Sequence, residues 1–152
     1  MKRSTFASIT VLAICAVIFA QWTLEPASAN GDRRAPPAPE FTHRDAGSWI
    51  NSPPLSIVDL RGKVVLLDIW TFDCWNCYRS FPWLKSVEER FEAEGLQVIG
   101  IHTPEFDHER VRGSIEKKVK EFGLPHPVMI DNDFSYWNAL GNRFWPSYYL
   151  VD

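Results

Sequence analysis

The sequence is poor in cysteine, with only three among its 152 residues, at positions 15, 74 and 77. Apart from Cys74 and Cys77 it has no second cysteine pair, and its four histidines are scattered without ligand spacing to one another. A four-ligand zinc site would therefore lack two of its ligands. This absence also rules out a framework of several disulfides.

Positive charge is also scarce, since 16 Lys and Arg residues stand against 19 Asp and Glu residues. No basic stripe is present, which excludes nucleic acid and an anionic membrane surface as natural partners. Internal repeats and low-complexity segments are absent as well. What remains, 45% hydrophobic residues and seven tryptophans, is typical of one globular domain with an aromatic core.

The N-terminal region has the pattern of an export signal. Lys2 and Arg3 precede an apolar stretch over residues 6–20, and the tripeptide Ala-Ser-Ala at 27–29 resembles a cleavage site. The sequence therefore predicts a signal peptide over residues 1–29, with an uncleaved membrane anchor over residues 6–24 as the alternative. Cleavage would remove Cys15 and leave a net charge of −4. An exported chain whose remaining cysteines both lie in one motif is expected to use them for exchange.

Residues 30–54 are rich in proline and poor in apolar side chains, and they are predicted to form a tether. The domain is then predicted to span residues 55–152.

The motif Cys74-Trp75-Asn76-Cys77 lies between an apolar run and an amphipathic run. Residues 64–71 are typical of a strand buried on both faces, and residues 75–94 have apolar side chains at helical spacing. A helix beginning at the motif would present unpaired N–H groups and the positive end of its dipole to Cys74, which favours the nucleophilic thiolate. The pattern indicates a redox pair. A structural bridge and half of a metal site are the alternatives.

The rest of the chain alternates between strand and helix patterns. Residues 55–60 are predicted as a short edge strand, and residues 96–103 as a strand parallel to the first, since a helix connects the two. The later elements are a helix over 107–122, an extended piece over 125–130, a short helix over 134–140 and a last strand over 147–151.

These motifs together resemble the thioredoxin superfamily. Within it, the stretches SPPLSIVDLRGKVVLLDIWTFDCWNC, VIGIHTPEF and DNDFSYWNALGNRFWPSYYLVD are most similar to the TlpA-like extracytoplasmic group and to the thioredoxin-like C-terminal domain of DipZ-type proteins. The resemblance covers residues 48–152. It implies an α/β fold of three layers around a central mixed sheet. The family continues after its last motif with a further strand and helix, so the domain is expected to be C-terminally incomplete, with the strand at 147–151 at an open edge.

The resemblance also implies roles for individual residues. Cys74 would be the attacking thiol, Cys77 the resolving thiol, Pro146 a cis-proline facing the disulfide, and Asp68 a buried acid. Burial should raise the pKa of Asp68 and make it a proton acceptor for Cys77, although a merely hydrogen-bonded core residue is the alternative. The expected substrate-binding residues are Trp75, Asn76 and Trp145. No metal and no cofactor are expected.

The expected function is thiol–disulfide exchange with protein substrates outside the cytoplasm, as a reductase fed by a membrane electron donor. The Trp-Asn dipeptide between the cysteines leaves the direction open, so a DsbA-like oxidant is the first alternative. A copper carrier that uses both thiols is an alternative of another class. A peroxidase is disfavoured, because the Pro and Thr that usually precede a peroxidatic cysteine are missing before Cys74.

Overall fold

The computed structural model describes residues 36–152. Strand β2, Val64–Trp70, is the centre of the domain, and six of its seven residues are buried. Strand β3, Leu96–His102, pairs with it in parallel from Val64 opposite Leu96 to Trp70 opposite His102. Helix α1, Trp75–Phe91, connects the two strands. The predicted parallel strand–helix–strand unit is therefore confirmed.

Three further strands complete the sheet of the described residues. These are β1, Trp49–Ile50; β4, Val128–Ile130; and β5, Ser147–Val151. The order is β1-β4-β3-β2-β5, with β4 parallel to β3 and with β1 and β5 antiparallel to their neighbours. The sheet is therefore mixed, as predicted, and within residues 36–152 β5 lies at its edge.

Two helical segments end at a glycine in a left-handed conformation. After α1 comes a short 3-10 turn, Glu92–Glu94, which Gly95 ends at a φ of 96°. Helix α2, Arg112–Phe122, ends likewise at Gly123. The sequence predicts one helix over 107–122, but the structure has a 3-10 helix, Asp107–Arg110, and then α2. The break falls at Val111, whose backbone is extended and caps the start of α2.

Helices and core residues cover both faces of the sheet, which gives the three layers expected. Side chains alternate between faces along a strand, and the two core clusters follow this alternation in β2. One cluster holds Leu66 and Trp70 together with residues of α1 and α2. The other holds Leu67 and Ile69 together with helix α3, Ser135–Ala139.

Two predictions about the N-terminal part of the domain are wrong. Residues 55–60 do not form an edge strand, because Ile57–Leu60 is a 3-10 helix that begins with a capping box between Ser56 and Asp59. The predicted tether over 30–54 also extends too far. Phe41 and Trp49 are buried against each other, with ring centroids 5.3 Å apart, and β1 pairs with β4. Because residues 30–54 are rich in proline, sequence reasoning overlooked that Phe41 and Trp49 belong to the core.

The predicted signal peptide lies outside the described residues. Within residues 36–152, no helix has both the length and the apolar character needed to cross a bilayer.

Candidate redox site

Cys74 and Cys77 form a disulfide at the start of α1, with their Cα atoms 5.2 Å apart. Cys74 is the N-cap residue of the helix, and its Sγ accepts a hydrogen bond from the Cys77 N–H at 3.1 Å. The sulfur therefore occupies the place of a capping oxygen, next to N–H groups that the helix leaves unpaired. This is the environment in which a cysteine thiolate is stabilised once the disulfide is reduced.

The two cysteines differ slightly in their exposure. Cys77 is fully buried, whereas Cys74 retains 8% of its surface and lies beside Trp75, which is 69% exposed. Asn76 is exposed as well. A substrate can therefore approach Cys74 while Cys77 stays shielded behind it. The residues between the cysteines form part of the surface that such a substrate would meet.

The predicted cis bond is present between Trp145 and Pro146. Because Ser147 of β5 lies opposite Ile69 of β2, Pro146 comes opposite Trp70 at the end of β2 that leads to Cys74. The Trp145 side chain is fixed by its N–H, which donates to the Thr103 carbonyl oxygen at 2.9 Å. It also packs against the core cluster that contains both cysteines. The fold thus brings this segment to the same end of the sheet as the disulfide.

Asp68 is completely buried, and neither of its carboxyl oxygens has a hydrogen-bond partner. It lies on the face of β2 that Leu66 and Trp70 share, which is the face covered by α1 and Cys77. Desolvation raises its pKa from 3.8 to about 8. A carboxyl group with such a pKa can gain and release a proton near neutral pH, as the sequence-based role requires.

A charged pair lies next to Cys74 in the chain. The exposed His108 pairs with Asp73, the residue before Cys74, at 2.5 Å and stacks on Phe106. Phe106 and Phe144 are more than half exposed. Sequence reasoning did not single out any of these four side chains.

Sequence reasoning also missed Glu109, a fully buried carboxylate that binds the loop carrying Asp73. A signal for it exists in the sequence. Glu109 follows Phe106 by three residues, the spacing at which a glutamate accepts a bond from the backbone at the start of a helical turn.

A group of possible metal ligands, His43, Asp131 and Asp133, lies apart from the cysteines. Asp131 is already occupied by four donors, among them the Tyr136 and Trp137 N–H groups at the start of α3. It therefore acts as a cap for that helix. Among residues 36–152, no third histidine or carboxylate joins the two cysteine sulfurs as a ligand set.

The mixed sheet, covered on both faces, and the cysteine pair at a helix start define a thioredoxin-like domain with the redox centre of a thiol–disulfide oxidoreductase. Over residues 35–152 the chain matches the AhpC/TSA family, and it belongs to that family. The predicted relationship to the thioredoxin superfamily is thereby confirmed.

Known relatives agree with this assignment. DipZ from Mycobacterium tuberculosis (strain CDC 1551 / Oshkosh) is 40% identical over 107 residues, which cover 68% of this chain but only 15% of DipZ. The thiol-disulfide oxidoreductase ResA of Bacillus subtilis (strain 168) is 24% identical over 153 residues, covering 99% of this chain and 80% of ResA. The solution structure of a thioredoxin-like protein in the oxidised form superposes with a TM-score of 0.68 at 26% identity, covering 76% of each chain.

Proposed function

We propose that this chain reduces disulfides in protein substrates outside the cytoplasm, with Cys74 as the attacking thiol and Cys77 as the resolving thiol. The observation that supports this proposal most strongly is the asymmetry of the pair. Cys74 caps the helix start and retains 8% of its surface, whereas Cys77 is completely buried within the first turn.

In the proposed reaction the reduced Cys74 thiolate attacks one sulfur of a substrate disulfide. A mixed disulfide forms, and the other substrate sulfur leaves as a thiolate. Cys77 then loses its proton to Asp68 and attacks Cys74 Sγ, which releases the second substrate thiolate. Two electrons have passed to the substrate, and the chain is left with the Cys74–Cys77 disulfide.

The segment around Pro146 is the proposed docking place for the substrate backbone. Pro146 lies beside the end of β2 that leads to Cys74, and an extended peptide can add as a strand to a backbone exposed there. Trp75, Asn76 and Trp145 would contact the side chains next to the substrate cysteine, because they lie between the cysteines or beside Pro146.

We also propose where the chain acts and what supplies its electrons. The export pattern in residues 1–29 favours an extracytoplasmic location. A reductase in an oxidising compartment needs a supply of electrons, for which a membrane electron-donor protein is proposed.

A trapping experiment tests the exchange mechanism. The reduced Cys77→Ala variant should accumulate mixed disulfides with protein substrates, because the resolving sulfur is missing. A reductant should cleave these mixed disulfides. Cys74→Ser is the matched control and should trap nothing. Failure of Cys77→Ala to trap any disulfide-bonded protein, or equal trapping by Cys74→Ser, would refute the assignment of roles.

The direction of transfer is tested by equilibrating the chain with glutathione. A potential well below that of the compartment is expected for a reductase. A strongly oxidising potential would instead identify a disulfide-forming oxidant.

A further inference from the structure

Glu109 joins the two loops that leave the parallel strands β2 and β3 beside the redox pair. Its side chain is fully buried in the 3-10 helix Asp107–Arg110. Its two oxygens accept four hydrogen bonds. The donors are the Thr71 hydroxyl at 2.5 Å and the Asp73 N–H at 3.0 Å on Oε1, and the N–H groups of Glu105 and Phe106, each at 2.7 Å, on Oε2.

Both oxygens of Glu109 act only as acceptors, which is the bonding pattern of an ionised carboxylate. Among residues 36–152 no basic side chain forms an ion pair with Glu109. The dipoles of its four hydrogen-bond donors therefore stabilise its negative charge. Three of these donors are backbone groups that would otherwise lack their partner in a partly buried loop. The arrangement therefore requires the two loops to keep their present separation.

The protons in this network can be assigned to individual atoms. Burial lowers the pKa of His102 to about 4, so its ring is neutral near pH 7. Thr71 has a single hydroxyl proton, which it donates to Glu109, and it must then accept from the His102 Nε2–H at 3.4 Å. The bonds run in one direction, from His102 through Thr71 to Glu109, and this fixes the orientation of the Thr71 side chain.

We infer that Glu109 is a positioning residue for Cys74, holding the backbone of the preceding residue so that the Cys74 sulfur stays within reach of Cys77. Asp73, whose N–H it binds, is directly bonded to Cys74. From the other side, Cys74 is held by the start of α1 through the Cys77 N–H. Disulfide closure depends on the effective concentration of one sulfur at the other. A loop free to move would lower that concentration.

Glu109 would thus influence the redox equilibrium although none of its hydrogen bonds involves a cysteine sulfur. This inference rests on the proposed redox function of the cysteine pair but not on the identity of the substrate. Failure of the substrate-trapping experiment above is therefore distinguishable from failure of this inference.

The test compares variants of the full chain by equilibration with glutathione. Glu109→Gln keeps the size of the side chain but offers one oxygen and one NH₂ group, so it cannot accept all four bonds. The equilibrium constant for disulfide closure is expected to fall by about tenfold, the equivalent of one hydrogen bond to a charged group. Hydrogen exchange at the Asp73, Glu105 and Phe106 amides should become faster in the same variant.

Thr71 provides a second, milder series in case Glu109→Gln does not fold. Thr71→Val removes one donor and should shift the equilibrium in the same direction by a smaller factor, whereas Thr71→Ser keeps the hydroxyl and should restore the parent value. Asp131→Asn is the matched control, since Asp131 is equally buried and accepts four hydrogen bonds at the start of α3. It should leave the equilibrium unchanged.

The inference is overturned if Glu109→Gln and Thr71→Val speed amide exchange but leave the equilibrium constant unchanged. It is also overturned if Asp131→Asn shifts the equilibrium as much as they do. Either outcome would make Glu109 a structural residue only.

Discussion

Asp68 on β2 lies directly opposite Tyr148 on β5, and neither the Asp68 carboxyl group nor the Tyr148 hydroxyl has a hydrogen-bond partner in the described structure. Burial raises the pKa of both side chains, of Asp68 to about 8 and of Tyr148 to about 12. Cross-strand neighbours share one face of a sheet. Two weakly solvated polar groups are thus placed together on the face that α1 and Cys77 cover.

The stability of the fold should depend on the ionisation of Asp68. Because its pKa is higher in the folded than in the unfolded chain, the folded state binds more protons between pH 3.8 and about 8. The free energy of unfolding therefore falls as pH rises through this window, by on the order of a few kcal/mol, and levels off above it. Asp68→Asn, which cannot ionise, should lack this dependence in urea unfolding measured at several pH values. The same slope in parent and variant would contradict the assignment to Asp68.

The resolving step should also depend on Asp68. If its carboxylate takes the proton of Cys77, Asp68→Asn should slow the decay of a preformed mixed disulfide by about a hundredfold near neutral pH, the range typical of general base catalysis. Stopped-flow or quenched-flow analysis of that decay measures the effect. The initial attack by Cys74 serves as the internal control and should change little. Equal slowing of both steps would indicate a general loss of structure instead.

Removal of the Tyr148 hydroxyl should change the free energy of unfolding only slightly. An unpaired, half-buried hydroxyl contributes no net hydrogen bond, so Tyr148→Phe is expected to change the free energy of unfolding by less than about 1 kcal/mol, or to increase it. Urea denaturation compares the variant with the parent. A destabilisation of about 2 kcal/mol or more would mean that the hydroxyl has a partner, such as a water molecule shared with Asp68.

Phe41 tests where the domain begins. It is buried between Trp49 and Tyr136, so Phe41→Ala should destabilise the fold by about 3 kcal/mol or more through the cavity that it leaves. A residue of a tether would have no such effect. Val58→Ala, at a position that is 57% exposed, is the control and should be nearly neutral. Thermal or urea unfolding of both variants shows whether residues 41–50 are a tether or a part of the folded core.

The parts of the fold that sequence reasoning predicted correctly depend on local patterns. β2 is a continuous apolar run, α1 repeats apolar side chains every three or four residues, and a helix between two such strands makes them parallel. Cys74 and Cys77 carry their signal in their spacing. Asp68 was singled out by the family resemblance, and its raised pKa was expected because a carboxyl group in an apolar run must be desolvated wherever that strand packs.

The two errors have different causes, a distant partner in one case and an overlooked local cap in the other. Proline-rich composition suggested a tether, but Phe41 packs against Trp49 and against Tyr136, which is far away in the sequence. The edge strand predicted over 55–60 is replaced by a 3-10 helix, because the Ser56–Asp59 capping box satisfies the backbone locally.

The sequence alone determined where the cysteine pair lies, at a strand-to-helix junction, and this position favours thiol exchange over a structural bridge or a metal site. Tertiary structure decided which groups surround that pair. Glu109 reaches Asp73 across 36 positions of the chain, and Tyr148 meets Asp68 only after β5 has paired with β2. These two long-range pairings leave no pattern in a single sequence, since they depend on strand register and loop position, which are set by the packing of the whole domain.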